Sequence, residues 1–184
     1  MKQYDFVHKE LMKSTKLNID YWLEHNFLTF KWWLIIALII IFWLIFFKLV
    51  NRKQLPKVLF LGLTWILVAS NLDGLGFELG WWGYPTELFP IYPKAYLFDY
   101  GLIPVTYMLL YLYFPKGKAF FVANVVLAGG ASFISEPLFR WLDYYKAYHW
   151  HPLWSFFIYM VLSYLIRWFV EKVFKGENSL SEPV

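Results

Sequence analysis

Between Trp32 and Phe47 the chain reads WWLIIALIIIFWLIFF, sixteen consecutive residues without a charge, an amide or a hydroxyl. A helix that is apolar on every side needs either lipid or the centre of a large protein around it, and a chain of 184 residues is too small to supply the second. At about 1.5 Å of rise per residue such a helix covers about 24 Å, and flanking residues extend it across the roughly 30 Å hydrocarbon core of a bilayer. Composition agrees. Hydrophobic residues make up 60% and charged residues 16%, against about 45–50% and about 25% in soluble domains. Phe, Trp and Tyr alone reach 24%.

Four further segments read as spans, near residues 55–75, 95–114, 119–142 and 153–173. The expectation is an all-α integral membrane bundle of five transmembrane helices over residues 32–174, with no linker or repeat dividing it. Asp73-Gly74 reads as a turn signal at the end of the second span. Before the bundle, residues 1–31 alternate Tyr4, Phe6, Val7, Leu11, Ile19, Trp22 and Phe27 with Lys, Asp and Glu at helical spacing, which predicts one or two amphipathic helices in the headgroup region or packed on the span ends. No signal peptide is expected, because no small-residue cleavage site follows the first apolar run. Residues 175–184 form a short polar tail, expected to be mobile. Cysteine is absent, which removes disulfide and thiolate chemistry from consideration.

Basic residues set the expected orientation. Lys48, Arg52, Lys53, Lys57, Lys116, Lys118, Arg167, Lys172 and Lys175 fall on one side of a five-span chain. Lys13, Lys16, Lys31, Lys94, Arg140 and Lys146 fall on the other, so nine against six predicts an outside N-terminus and an inside C-terminus. The net charge of +4 is placed at helix flanks and is explained by this rule, not by nucleic-acid binding.

In that topology Asp73, Asp99 and Glu136 lie in the same leaflet. Ionisable groups inside a membrane are expensive and point by default to function. The adjoining loops bring Glu78, Trp82 and Tyr84 from one side and Trp150 from the other, with Arg140 one turn after Glu136. The expected site is an outward-facing acidic and aromatic pocket formed by Asp73, Asp99, Glu136, Arg140, Glu78, Trp82, Tyr84 and Trp150. The bland alternatives are an interfacial aromatic belt, mutual neutralisation of Glu136 and Arg140 at i,i+4 spacing, and hydration of shallow carboxylates. Asn124, Ala128, Ser132 and Glu136 recur every four residues and are matched by Ser155, Tyr159, Ser163 and Arg167, either as a helix-packing seam or as a polar track to Glu136. Pro137 frees a carbonyl one turn earlier.

Carboxylates among aromatic faces suit a cation, at about 0.5–2 kcal/mol per ring. Proton exchange is a second use of buried acids. His149-Trp150-His151 lacks the spacing of zinc motifs, and nucleophile elbows, phosphate loops and dinucleotide fingerprints are missing, so neither a metal nor a cofactor is expected.

Tyr21-Trp22, Trp32-Trp33, Asp73-Gly74, Trp82-Gly83-Tyr84-Pro85, Pro90, Pro93, Pro104 with Tyr107, Glu136-Pro137, and Trp150 with Tyr159 together resemble a family of small multi-pass membrane proteins of spore-forming Bacilli and Clostridia. The resemblance spans nearly the whole chain and implies a bacterial cytoplasmic-membrane protein, without supplying a reaction. Asp73, Gly80-Trp81, Tyr84 and Leu102-Ile103-Pro104 are similar to the lycopene cyclase membrane domain, which implies acid catalysis on an isoprenoid. That family carries paired acids just after the corresponding proline, where this chain has Val105, Thr106 and Tyr107, so Glu136 or Asp99 would have to substitute. Three function classes emerge: a component binding a lipid headgroup, a cation, a membrane-protein partner or a second copy of itself; a lipid enzyme using a carboxylic acid; or a proton or small-cation transport component.

Overall fold

The computed structural model describes the backbone of residues 2–180 and the side chains of residues 3–175. The end of the expected polar tail, residues 181–184, lies outside the described residues, and the part before it continues the last helix to Leu180. The chain is helical almost throughout: α1 (Lys2–His25), α2 (Phe30–Leu49), α3 (Leu55–Glu78), α4 (Ile103–Tyr113), α5 (Gly117–Gly130), α6 (Glu136–Trp141) and α7 (Pro152–Leu180). Two short strands, β1 (Trp82–Gly83) and β2 (Lys146–Ala147), pair antiparallel.

Four helical stretches are long and apolar enough to cross a membrane: Phe30–Leu49, Leu55–Glu78, Gly117–Trp141 and Pro152–Lys175. The apolar run becomes α2, whose first turn is capped by the Thr29 side chain accepting from Trp32 N–H. α3 continues through Asp73-Gly74 to Glu78, because the turn expected there is overridden by packing on both sides of the helix. Gly74 and Gly76 are buried under the rings of Tyr92 and Trp82, where their hydrogen replaces a side chain that would collide. The segment expected as the third span is a π-turn (Phe98–Leu102) leading into α4, whose eleven residues cover about 16 Å.

Prolines explain both irregular turns. Pro104 has no N–H for the Tyr100 carbonyl and Pro137 none for the Phe133 carbonyl, and each proline comes two residues after the end of a widened turn, Phe98–Leu102 and Ala131–Ser135. The freed carbonyl of Tyr100 accepts instead from Trp43 Nε1 at 2.7 Å. Gly101 in the same turn lets α2 approach, since a Cβ there would lie 3.2 Å from Ile39 Cγ1.

α3, α4, α5 and α7 close a ring, α3 and α5 each meeting both α4 and α7, while α2 packs against α4 and its π-turn. One end of the ring is filled by Phe46, Val58, Leu61, Met108, Phe120, Ile166 and Val170. Trp65 stacks on Tyr107 above them, with centroids 4.0 Å apart. The expected polar seam is present as contact between α5 and α7: buried Asn124 donates from Nδ2 to Ser163 Oγ at 2.6 Å.

α1 is one continuous helix rather than two short ones, and its C-terminal half is docked. Trp22 Nε1 donates to the Glu87 carbonyl at 3.1 Å, and Asn26 brackets the same loop by accepting from Glu87 N–H and donating to the Pro85 carbonyl. Beneath them Glu87 and Lys94 form a buried ion pair at 3.1 Å. The N-terminal half keeps Tyr4, Phe6, Val7, Leu11 and Met12 exposed.

Candidate functional site

The other end of the ring is not filled. A cavity of about 570 Å³ opens between α3, α4, α5 and α7, and its lining follows helical spacing on every wall. α3 contributes Trp65, Ala69, Leu72 and Asp73; α7 contributes Ser155, Ile158, Tyr159 and Leu162. Positions i, i+3 or i+4, i+7 and i+8 share one face of a helix, so each wall is one continuous stripe. Most of the lining is apolar. Leu72, Leu75, Val126 and Ile134 line it while also being exposed on the outside of the bundle, so its rim meets the surface that the four apolar helices present.

Three carboxylates share this cavity. Asp73 and Asp99 come from α3 and from the π-turn before α4, and Glu136 follows the π-turn that ends α5. Their surroundings differ. Asp73 Oδ1 accepts from Trp82 Nε1 at 2.9 Å and from the Tyr84 hydroxyl. Burial, and after it the nearby carboxylates of Asp73 and Asp99, hold the Tyr84 phenol well above its ordinary range, so Tyr84 keeps the proton it donates. Asp99 is 2% exposed, and its Oδ2 meets no donor. Glu136 Oε2 is likewise enclosed without a partner. Beside Glu136 stands Ser155, which accepts from Trp150 Nε1 at 2.8 Å and keeps its own proton free for the carboxyl.

A cover of aromatic side chains closes the polar end. β1 pairs with β2, joining the segment after α3 to the segment between α6 and α7, and Tyr148 and His149 both donate their N–H groups to the Trp81 carbonyl. This places Trp150 flat against Trp81, with centroids 5.4 Å apart, and edge-on to Trp82 at 4.7 Å. Gly76 makes room for the Trp82 indole, which then reaches Asp73. The π-turns matter to the acids as well: inserting a residue into an α-helix rotates the remainder of that helix by about 100°, and Asp99 and Glu136 lie in or directly after such turns.

Of the residues anticipated from sequence, Asp73, Asp99, Glu136, Trp82, Tyr84 and Trp150 line the one cavity. Glu78 does not: it is exposed in the last turn of α3, five residues or ~140° round the helix from Asp73. Arg140 also stands apart from this cavity. Its guanidinium lies over the Tyr145 ring, 5.6 Å from the centroid, and among the described residues the ion pairs do not include Glu136 with Arg140. Their i,i+4 spacing therefore does not produce the simple neutralisation it allowed.

Sequence reasoning passed over Trp65 and Tyr107 as lining residues. Tyr107 is 4% exposed with a hydroxyl lacking a partner, and it follows Asp99 by eight residues, a same-face spacing that was available in the sequence. Tyr145, which also lines the cavity, directly precedes β2, whose pairing with β1 brings distant segments together. Among the described residues no three His, Asp or Glu side chains converge to hold a metal ion. The chain matches no family model, no curated protein and no solved structure.

Proposed function

We propose that the protein is a multi-pass component of a bacterial cytoplasmic membrane that binds an amphiphile from the bilayer, seating its apolar body between α3, α5 and α7 and a cationic or hydrogen-donating group at Asp99. In this reading residues 95–114 cross the membrane as a fifth span, α1 lies at the interface with its exposed Tyr4, Phe6 and Leu11 toward lipid, and the polar end of the cavity faces outward. The nine-to-six distribution of basic residues supports that orientation.

The observation that carries the proposal is Asp99: a carboxyl 2% exposed, with an oxygen that has no donor, on the wall of a mostly apolar cavity. Such a group is costly unless something completes it. A cation also gains from the faces of Trp82, Trp150 and Tyr84 at the same end. Exposed Leu72, Leu75, Val126 and Ile134 at the rim suit entry from lipid rather than from water. A native mass spectrum of the protein purified in mild detergent tests this: a retained lipid-sized mass that is lost in Asp99→Asn is expected, and identical spectra for the two proteins would refute it.

A second reading has one observation in its favour. Asp73 is fixed by two donors while Asp99 beside it is unpartnered, an arrangement suited to a carboxylic acid that protonates an alkene. Incubation with a polyprenyl substrate would then yield a cyclised or isomerised hydrocarbon, lost in Asp99→Asn but not merely unbound.

A further inference from the structure

The cavity between α3, α4, α5 and α7 has a floor but an incomplete wall. Its floor is the stacked pair of Trp65 and Tyr107, and beneath them Val58, Leu61 and Met108 are buried in one packed cluster. Trp65 lies eight residues from Asp73 on α3, and Tyr107 lies eight residues beyond Asp99, so both walls set the floor about 12 Å below the carboxylates. A lipid chain that runs from the headgroup level to the mid-plane of a bilayer needs about 15 Å, half of the hydrocarbon core. Such a chain does not fit upright beneath Asp99, and its end has to leave sideways.

α5 provides the gap. Val126, Gly130 and Ile134 line the cavity at four-residue spacing, and Val126 and Ile134 are also well exposed on the outside. Between these two large side chains Gly130 presents none, and a Cβ placed there would meet no atom within 4 Å. The Gly130 backbone is ordinary helix, with φ −61° and ψ −44°, so its conformation does not require glycine. The gap lies on the α4 side. α5 meets α7 through Asn124 and Ala128, and Val126 and Gly130 follow these by two residues, about 200° round the helix. Across the gap Leu102, Ile103 and Thr106 are half-buried lining residues. The Thr106 hydroxyl donates back to the Leu102 carbonyl at 2.7 Å, so this rim presents a hydrocarbon chain with no unpaired hydroxyl. The seam between α3 and α7 differs, because its exposed rim residues Leu72, Leu75 and Ile158 all carry bulky side chains.

We infer that the cavity selects a single-chain lipid longer than itself, holding the part nearest the head above Trp65 and releasing the remainder to the bilayer between α4 and α5, over Gly130. This rests on the reading that the head sits at Asp99, and it adds the class of tail and the place where the tail leaves. Trp65 and Gly130 are then the specificity-determining positions, one closing the way down and the other opening the way out.

Octyl- and hexadecyltrimethylammonium test it, one chain shorter than the cavity is deep and one longer. Each is titrated calorimetrically into the whole chain in a neutral detergent, with affinity expressed relative to the micelle so that transfer out of water cancels. The parent is expected to bind the two within about threefold, because methylenes beyond the gap pass between equivalent apolar surroundings. Gly130→Leu fills the gap and is expected to weaken hexadecyl binding at least about tenfold more than octyl binding. Thr106→Leu narrows the same gap from α4 and should act in the same direction, so the test does not depend on one variant folding. Gly129→Leu also points into open space but does not line the cavity, and should change neither affinity. Asp99-dependent octyl binding with hexadecyl binding at least about tenfold weaker in the parent overturns the inference and leaves the role of Asp99 standing. A selective loss of hexadecyl binding in Gly129→Leu, or its absence from both Gly130→Leu and Thr106→Leu, overturns the inference as well. Octyl binding that is equal in the parent and Asp99→Asn overturns the role of Asp99 itself, and the inference with it.

Discussion

Gly76→Ala is a one-methyl perturbation of the contact that holds the cover over the carboxylates. A Cβ at position 76 would sit 2.0 Å from Trp82 Cζ2 and 2.1 Å from Cη2, against an ordinary carbon contact of about 3.5 Å. The indole must therefore retreat by about 1.5 Å. Its Nε1 bond to Asp73 is 2.9 Å long, and a retreat of that size carries it out of hydrogen-bonding range. Stripping a donor from a mostly enclosed carboxyl costs about 1–3 kcal/mol, and forcing a rigid ring out of place costs a similar amount. The better helix propensity of alanine returns at most about 1 kcal/mol, leaving a net loss of about 2–4 kcal/mol. Two other glycines calibrate the comparison. Position 62 meets only Met108, at 2.4 Å from Sδ, and a flexible thioether moves aside at lower cost. Position 129, where α5 runs on into its π-turn, has nothing within 4 Å, so Gly129→Ala keeps the propensity gain. Thermal unfolding in one detergent, followed by near-ultraviolet circular dichroism, should rank the variants 76 below 62 below 129, with 129 at or above the parent. A Gly76→Ala protein as stable as Gly129→Ala would refute the placement of Trp82 over α3.

Other contacts carry consequences of their own. Trp22→Ala removes a 9%-exposed indole and its bond to Glu87, and should release α1 by about 3 kcal/mol, read as roughly hundredfold faster tryptic cleavage at Lys13 and Lys16. Burial outweighs the adjacent Lys94 ammonium and raises the Glu87 carboxyl pKa above its usual value near 4.5. The folded state then binds more protons than the unfolded state, so this group's contribution to stability is full below that value and is lost as pH rises through the folded pKa. Glu87→Gln should flatten that part of the stability profile in chemical denaturation. Asn124→Ala breaks the buried bond to Ser163 and should lower stability by about 1–2 kcal/mol, whereas Asn124→Asp should lower it further by placing an ionisable group at a 0%-exposed position in the α5–α7 seam.

Features that repeat along one helix were legible in the sequence. The run at 32–47 gave α2, and the four-residue recurrence of Asn124, Ala128 and Ser132 gave the face of α5 that meets α7. The depth of Asp73, Asp99 and Glu136 came from counting along apolar segments, and depth is what brings them onto one cavity. Long-range pairing left no local trace. Trp82 opposite Ala147 depends on contacts between segments far apart in the chain. The widened turns were half visible: Pro104 and Pro137 announced missing donors, but where the displaced turn forms depends on neighbours such as Trp43. Asp73-Gly74 shows the reverse case, a local turn signal overruled because Gly74 and Gly76 are needed under aromatic rings in the last two turns of α3.

The proposed role of Asp99, as the empty partner at the polar end of the cavity, is tested most directly by titration with dodecyltrimethylammonium. Isothermal calorimetry in a neutral detergent should give one saturable site in the parent protein, an affinity at least about tenfold weaker in Asp99→Asn, and no change in Glu78→Gln, whose carboxylate is exposed outside the cavity. Equal affinity in the parent and Asp99→Asn, or an equal loss in Glu78→Gln, would contradict it.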